Sequence, residues 1–281
     1  MGSGCCIPKS LKILPSEFAG HLPIGIVNIT EESSAERINE FADLISESFC
    51  GTTTTPPEPV MAWTYDHGDG TFELDAGTAP VEVLKSEPSE ERKAYFKFLA
   101  DFIVHQCLRH GGCYALEDSP GGKLCSAAVT IPPNDKQLHT IGFCEMMGII
   151  EKIGGETAVP DRFKGGISDK KMKELEKLML NAHKVHAPKK HLYIQAFATK
   201  PDEQGKGRGS QLLNFIHSSA KFQQVPSYLE TSGKKNEEFY TKRGWIVIER
   251  HRFTVSGIKF IADKDDYLEG GALLSMIKHV T

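Results

Sequence analysis

Apolar positions recur along this chain at two periods, near 3.6 and near 2, and the exchange between them outlines a mixed α/β domain. Ile24 to Ile29 reads as a strand. Ser33-x-x-Glu36 is a capping box, and Ile38, Phe41, Ala42, Ile45 and Phe49 follow at helical spacing. From Gly51, four threonines and Pro56-Pro57 argue against helix, so Met61, Trp63 and Tyr65 are expected on a loop. Asp66 to Ser86 holds few packing residues and reads as exposed, giving an insertion over 51–86. Ser89 opens a second helix carrying Tyr95, Phe98, Leu99, Phe102, Ile103 and Leu108, ended by Gly111-Gly112. Cys113 to Leu116 and Leu124 to Ile131 form a hairpin around Ser119-Pro-Gly-Gly122. Thr140 to Ile153 reads as a loosely regular helix. Asp169 to Val185 is a clearer one, with Met172, Leu175, Met179, Ala182 and Val185 on one face.

The chain is organised around the stretch that comes next. Leu192 to Thr199 is apolar and β-favouring, a buried strand. Pro201 cannot extend a ladder, having no N–H. Gly205, Gly207 and Gly209 follow at alternate positions, and from Ser210 the pattern turns helical, with Leu212, Leu213, Phe215, Ile216 and Ala220 apolar. A strand, a glycine turn and a helix in this order gather backbone N–H groups at the positive helix end, which suits an anion. The spacing excludes two common anion loops. Gly205-Lys206 lacks the Ser or Thr of a Walker loop, and Gly207 to Gly209 is one residue short of the Rossmann fingerprint.

A second block lies downstream. Ser227 to Thr231 reads as a strand, Lys235 to Arg243 as a short helix capped by Gly244, and Trp245 to Phe253 as a strand with Ile246, Val247 and Ile248 in its apolar run. Gly257 to Asp263 and Ala272 to Lys278 read as closing strands. Gln204-x-x-Gly207-x-Gly209 resembles the acetyl-CoA pyrophosphate loop of the GNAT superfamily of N-acetyltransferases. Leu229-Glu-Thr-Ser-x-x-x-Asn236-x-x-x-Tyr240-x-x-x-Gly244-Trp245 resembles the second motif of that superfamily, and in particular enzymes similar to puromycin N-acetyltransferase. The motifs cover about Leu192 to Phe253; earlier residues match only in the order of elements.

The resemblance implies a GNAT-like α/β (α+β) fold, a mixed, mostly antiparallel twisted sheet with helices on both faces, and acetyl-CoA as co-substrate. It assigns cofactor binding to Phe197, Ala198, Thr199, Gln204, Gly205, Lys206, Gly207, Arg208, Gly209, Ser210 and Asn236. Pantetheine would lie in the gap between two splayed strands, with the N–H of Phe197 or Thr199 polarising the thioester carbonyl. Tyr240 matches the usual proton donor to the departing thiolate, four residues from Asn236 on the same helix face. Glu230 is the acidic residue nearest the cleft in sequence and is the candidate general base; a solvent-facing strand glutamate is the other reading of it, and an ordered water serves instead in several members of the resembled family. The expected acceptor is a small primary amine; a protein lysine or N-terminus, or a non-catalytic CoA-binding sensor attached to a membrane through an acylated N-terminus, are the alternatives. Trp63 and Tyr65 have two readings: core packing, the commoner fate of aromatic residues near a loop base, or lining of the acceptor pocket, to which this region contributes in the resembled enzymes.

Composition narrows this further. At 281 residues, with 40% hydrophobic and 25% charged residues, the chain reads as one globular domain over 21–281 after a flexible tail over 1–20. A net charge of −4 disfavours nucleic acid and suits a cationic acceptor. Seven cysteines without a Cys-x-x-Cys pair point to a reducing, cytoplasmic setting. No apolar run reaches the roughly 18 residues of a spanning helix. Gly2 is placed for myristoylation and Cys5 and Cys6 for palmitoylation, although Cys6 stands where that pattern wants Ser or Thr. His183, His186 and His191 cluster near a helix end with no carboxylate or cysteine in sequence register, so they are expected to be solvated and no metal is expected.

Overall fold

The computed structural model describes residues 22–53, 55, 57–65, 87–108, 112–133, 143–165, 167–252, 254–255, 258–259 and 272–280. Gly2, Cys5 and Cys6, on which the acylation expectation rests, lie outside them, as does the stretch 66–86. Strand β1 (Ile26–Ile29) is followed by helices α1 (Ala35–Cys50), α2 (Pro59–Tyr65) and α3 (Glu90–Leu108). The hairpin β2 (Cys113–Glu117) and β3 (Leu124–Ile131) leads to α4 (Phe143–Lys152) and α5 (Ile167–His186). Then come β4 (Leu192–Thr199), α6 (Arg208–Phe222), β5 (Ser227–Ser232), α7 (Lys234–Thr241) and β6 (Ile246–His251). Two-residue strands β7 (Thr254–Val255) and β8 (Ile258–Lys259) precede β9 (Leu273–Lys278).

The seven-stranded sheet runs β1-β2-β3-β4-β5-β9-β6 and is antiparallel except at β4–β5. Two apolar layers cover it. On one face α1 and α3 bury Phe41, Ile45, Tyr95 and Val104; on the other α6 buries Leu212 and Ile216 against Tyr114. Each such side chain contributes about 1.5–3 kcal/mol by leaving water. No described helix is long and apolar enough to cross a membrane. The five described cysteines are free thiols, with only Cys144 exposed.

Several sequence expectations need correction. The N-cap of α1 is Ser34, whose Oγ accepts the Arg37 N–H at 3.2 Å, because Ser33 is engaged one turn earlier by the Thr30 N–H. Residues 59–65 form α2 rather than a loop, since Pro59 occupies the first helical position, where a missing N–H costs nothing. Of the two readings for Trp63 and Tyr65, core packing holds, at 2% and 7% exposed. The buried Lys171 ammonium of α5 donates to the Trp63 carbonyl at 2.9 Å, so the Trp63 ring is held beneath α5, away from the cleft. Ile246 and Ile248 are exposed, because β6 is the edge strand of the sheet and leaves them without a covering layer.

Candidate active site

Strands β4 and β5 pair only over Leu192–Ile194 and Ser227–Leu229. Beyond Ile194 and Leu229 they diverge, and the wedge between them is a cleft of about 500 Å³. A register shift in the β3–β4 ladder leaves Gln195 without a partner on β3, a bulge. Its effect is a change of parity. The Leu192 N–H donates to Pro226 on the β5 side, whereas the Lys200 N–H donates to Cys125 on β3. N–H direction alternates along a strand, so the groups of Phe197 and Thr199 face the cleft.

At the wide end of the wedge the glycine turn meets α6. Gly207 has φ +83°, the left-handed region that favours glycine, and is the N-cap of α6. Gly209 is required for a different reason: a Cβ there would stand 2.8 Å from Thr199 Oγ1 and 3.4 Å from the Phe197 ring. The first turn of α6 therefore sits directly on the end of β4, with its free N–H groups toward the wedge. Gln204 closes the turn by donating to the Thr199 carbonyl at 3.2 Å and accepting from Lys235 at 3.0 Å. Asn236 donates to the Ser232 carbonyl at 2.9 Å, tying α7 to β5.

The cleft is lined by every residue expected to bind the cofactor except Lys206, whose ammonium pairs with Glu203 at 2.7 Å. Ser210 is present but engaged, its Oγ accepting from Arg243 Nε at 3.0 Å. Arg243 was not singled out from the sequence. Its guanidinium lies 3.8 Å over the Phe239 ring, at the start of α6, and supplies a cation where the helix end already favours an anion. The spacing signal was available, three residues after Tyr240, but a lone arginine near a helix end is not distinctive.

Tyr240 and Glu230 both line the cleft. Tyr240 is buried, and desolvation raises its pKa well above the ordinary phenol value, with Glu58 adding to the rise and Arg243 opposing it. Both carboxylate oxygens of Glu230 are shielded from water with no hydrogen-bond partner of normal geometry. Desolvation pushes this carboxyl up to about 7, only partly offset by the neighbouring phenols of Tyr193 and Tyr228.

A second carboxylate in the cleft is Glu58, which carries no sequence signal because its segment reads as loop. It accepts from Ser232 Oγ at 2.5 Å and from the Met61 N–H at 2.8 Å. Desolvation raises it too to about 7, with Ser232 and the backbone donors opposing. The expected solvation of the histidines is also corrected. His183 is buried against Tyr193 and Tyr228, and Glu249 of β6 bonds to His186.

Residues 174–247 match the model of the acetyltransferase (GNAT) domain. The fold is that of the GNAT acetyltransferases. No curated protein sequence matches the chain. Among solved structures, arylalkylamine N-acetyltransferase 2 from Aedes aegypti is similar at 12% identity, with TM-score 0.53, over 92% of this chain and 100% of that one. An agmatine N-acetyltransferase variant in apo form is similar at 16% identity and TM-score 0.51, over 91% and 100%. A Drosophila melanogaster polyamine N-acetyltransferase that forms N-acetylagmatine is similar at 14% identity and TM-score 0.50, over 91% and 100%. The wedge between β4 and β5 and the glycine turn both lie within the matched stretch, so the sequence match and the fold agree over the same residues.

Proposed function

We propose that this GNAT-fold protein transfers an acetyl group from acetyl-CoA to a small primary amine. The observation that carries the reading is the single cleft in which a glycine turn at a helix start, two strand N–H groups, Tyr240 and two desolvated carboxylates meet. The anion-binding end fits a pyrophosphate, and the gap between β4 and β5 fits an extended pantetheine arm. Bound there, acetyl-CoA supplies an activated acyl carbon.

The residues divide the remaining work. Phe197 and Thr199 N–H groups face the gap and stabilise the negative charge that develops on the carbonyl oxygen. Glu230, whose carboxylate oxygens are shielded from water, takes the proton from the acceptor ammonium and frees the nitrogen lone pair. The nitrogen bonds to the acyl carbon, the carbon–sulfur bond breaks, and the nitrogen's second proton passes to the tyrosinate that remains once the sulfur is protonated. Tyr240 keeps its proton at neutral pH and gives it to the departing sulfur, which lacks water to neutralise it. Gln204 and Asn236 hold the loop and α7 in register, while Arg243 and the start of α6 neutralise phosphate charge.

A second reading gives the base role to Glu58, because it is the carboxylate whose charge acts on Tyr240. A small cationic acceptor suits both carboxylates, since they lie desolvated within the cleft. The arylalkylamine and agmatine enzymes of the same fold act on amines of this size. Within the superfamily, the resemblance to puromycin N-acetyltransferase rests on the Leu229–Trp245 block. The test is acetyl-CoA consumption over a panel of arylalkylamines, agmatine, polyamines and lysine peptides. Turnover with one of the small amines supports the proposal; turnover with peptides alone, or with nothing, rejects it.

A further inference from the structure

Helix α5 ends at His186 where the edge strand β6 passes, and three metal-ligating side chains converge there. We propose that His186, Glu249 and His251 bind a borderline divalent metal ion, zinc in the first instance, outside the acetyl-transfer cleft. Their ligand atoms all lie within 4.8 Å of one another. His186 Nε2 is 2.5 Å from Glu249 Oε2, and His251 Nδ1 is 3.7 Å from Glu249 Oε1. Zinc bonds of about 2.0–2.2 Å in a tetrahedron place ligand atoms about 3.3 Å apart, so the contacts straddle the required spacing. Glu249 is half exposed and free to make the adjustment.

The surroundings support the site independently. His251 Nε2 bonds to Ser275 Oγ at 2.7 Å, and that oxygen accepts the Tyr228 hydroxyl at 3.0 Å. One ring nitrogen is thereby fixed on the sheet, and Nδ1 is turned toward Glu249, the outer-shell arrangement that metal-binding histidines use. The register shift between Val247 and Glu249 sets Glu249 opposite Ser275, and His251, two residues on, shares its face. His186 is the last residue of α5, where the negative end of the helix favours a cation. Two imidazoles and one carboxylate suit zinc, copper or nickel rather than calcium or magnesium. Three protein ligands leave a fourth position for water or a further donor. None of the three lines the cleft.

The test is calorimetric titration of the chelator-treated full chain with zinc chloride, beside His186→Ala, Glu249→Gln and His251→Gln. One zinc per chain is expected, weakened on the order of a hundredfold in each variant, with a zinc-dependent rise in melting temperature only in the unaltered protein. Cobalt(II) should give a tetrahedral d–d spectrum without a thiolate charge-transfer band. Absence of binding overturns the proposal, as does equal affinity in all variants or a thiolate band showing the metal on cysteines. Should the His251 variant fail to fold, Glu249→Gln, at a half-exposed position, decides the matter alone.

Discussion

The hydroxyl of Ser232 donates to the Glu58 carboxylate at 2.5 Å, joining the end of β5 to the start of α2 across 174 residues of sequence. The same oxygen accepts the Val60 N–H at 3.1 Å. One buried hydroxyl thus positions a cleft carboxylate and satisfies a backbone donor. Ser232→Ala leaves both groups without that partner and is expected to cost about 1–3 kcal/mol. Urea unfolding measures it, and a loss under about 0.5 kcal/mol would show that water replaces the hydroxyl.

The base can be identified from the pH dependence. A carboxyl raised to about 7 is protonated, hence inactive as a base, below that pH, so kcat/KM should climb as pH rises through about 7. An unshifted glutamate would already be ionised near pH 5.5. Glu230→Gln is expected to lower kcat/KM by about a hundredfold to ten-thousandfold and to remove this limb, while Glu58→Gln retains it. The opposite pattern assigns the base to Glu58.

Tyr240→Phe should lower turnover by about a hundredfold to ten-thousandfold with little change in acetyl-CoA affinity. The ring still packs edge-on against Trp245 at 5.7 Å, so the cleft persists and only the proton is lost. The deficit should shrink at high pH, where a thiolate leaves more readily unprotonated. Near-normal turnover at neutral pH would make Tyr240 a packing residue.

Gly207→Glu should abolish acetyl-CoA binding in calorimetry while circular dichroism stays unchanged. It places a carboxylate at the start of α6, where an anion is to bind, and strains a residue at φ +83°. Unchanged affinity rejects the assignment of the loop.

Local chemistry made much of the fold legible. The periodicity of Leu192–Thr199 and the spacing of Gly205, Gly207 and Gly209 specify a strand, a turn and a helix, because left-handed backbone and close packing each demand glycine. The limits of β3 and β4 fell where the apolar runs do. The errors arose where a neighbour outweighs a local signal. Pro59, which follows a proline-rich loop, starts a helix. Ile246 and Ile248 do form the expected strand, and only its place at the sheet edge leaves them exposed.

The sequence by itself determined the strand, glycine turn and helix around Gly205–Gly209 and the identity of Tyr240 and Glu230 as candidate chemistry, since these depend on residues within one motif. Only the tertiary structure decided what those residues meet. The bulge at Gln195 turns two N–H groups into the wedge, Ser232 draws Glu58 into the cleft, and β6 carries Glu249 to His186 across 63 residues. The desolvation that raises both cleft carboxyls to about 7 likewise exists only once the layers close over them. Contacts between distant segments are set by packing, and no local pattern encodes them.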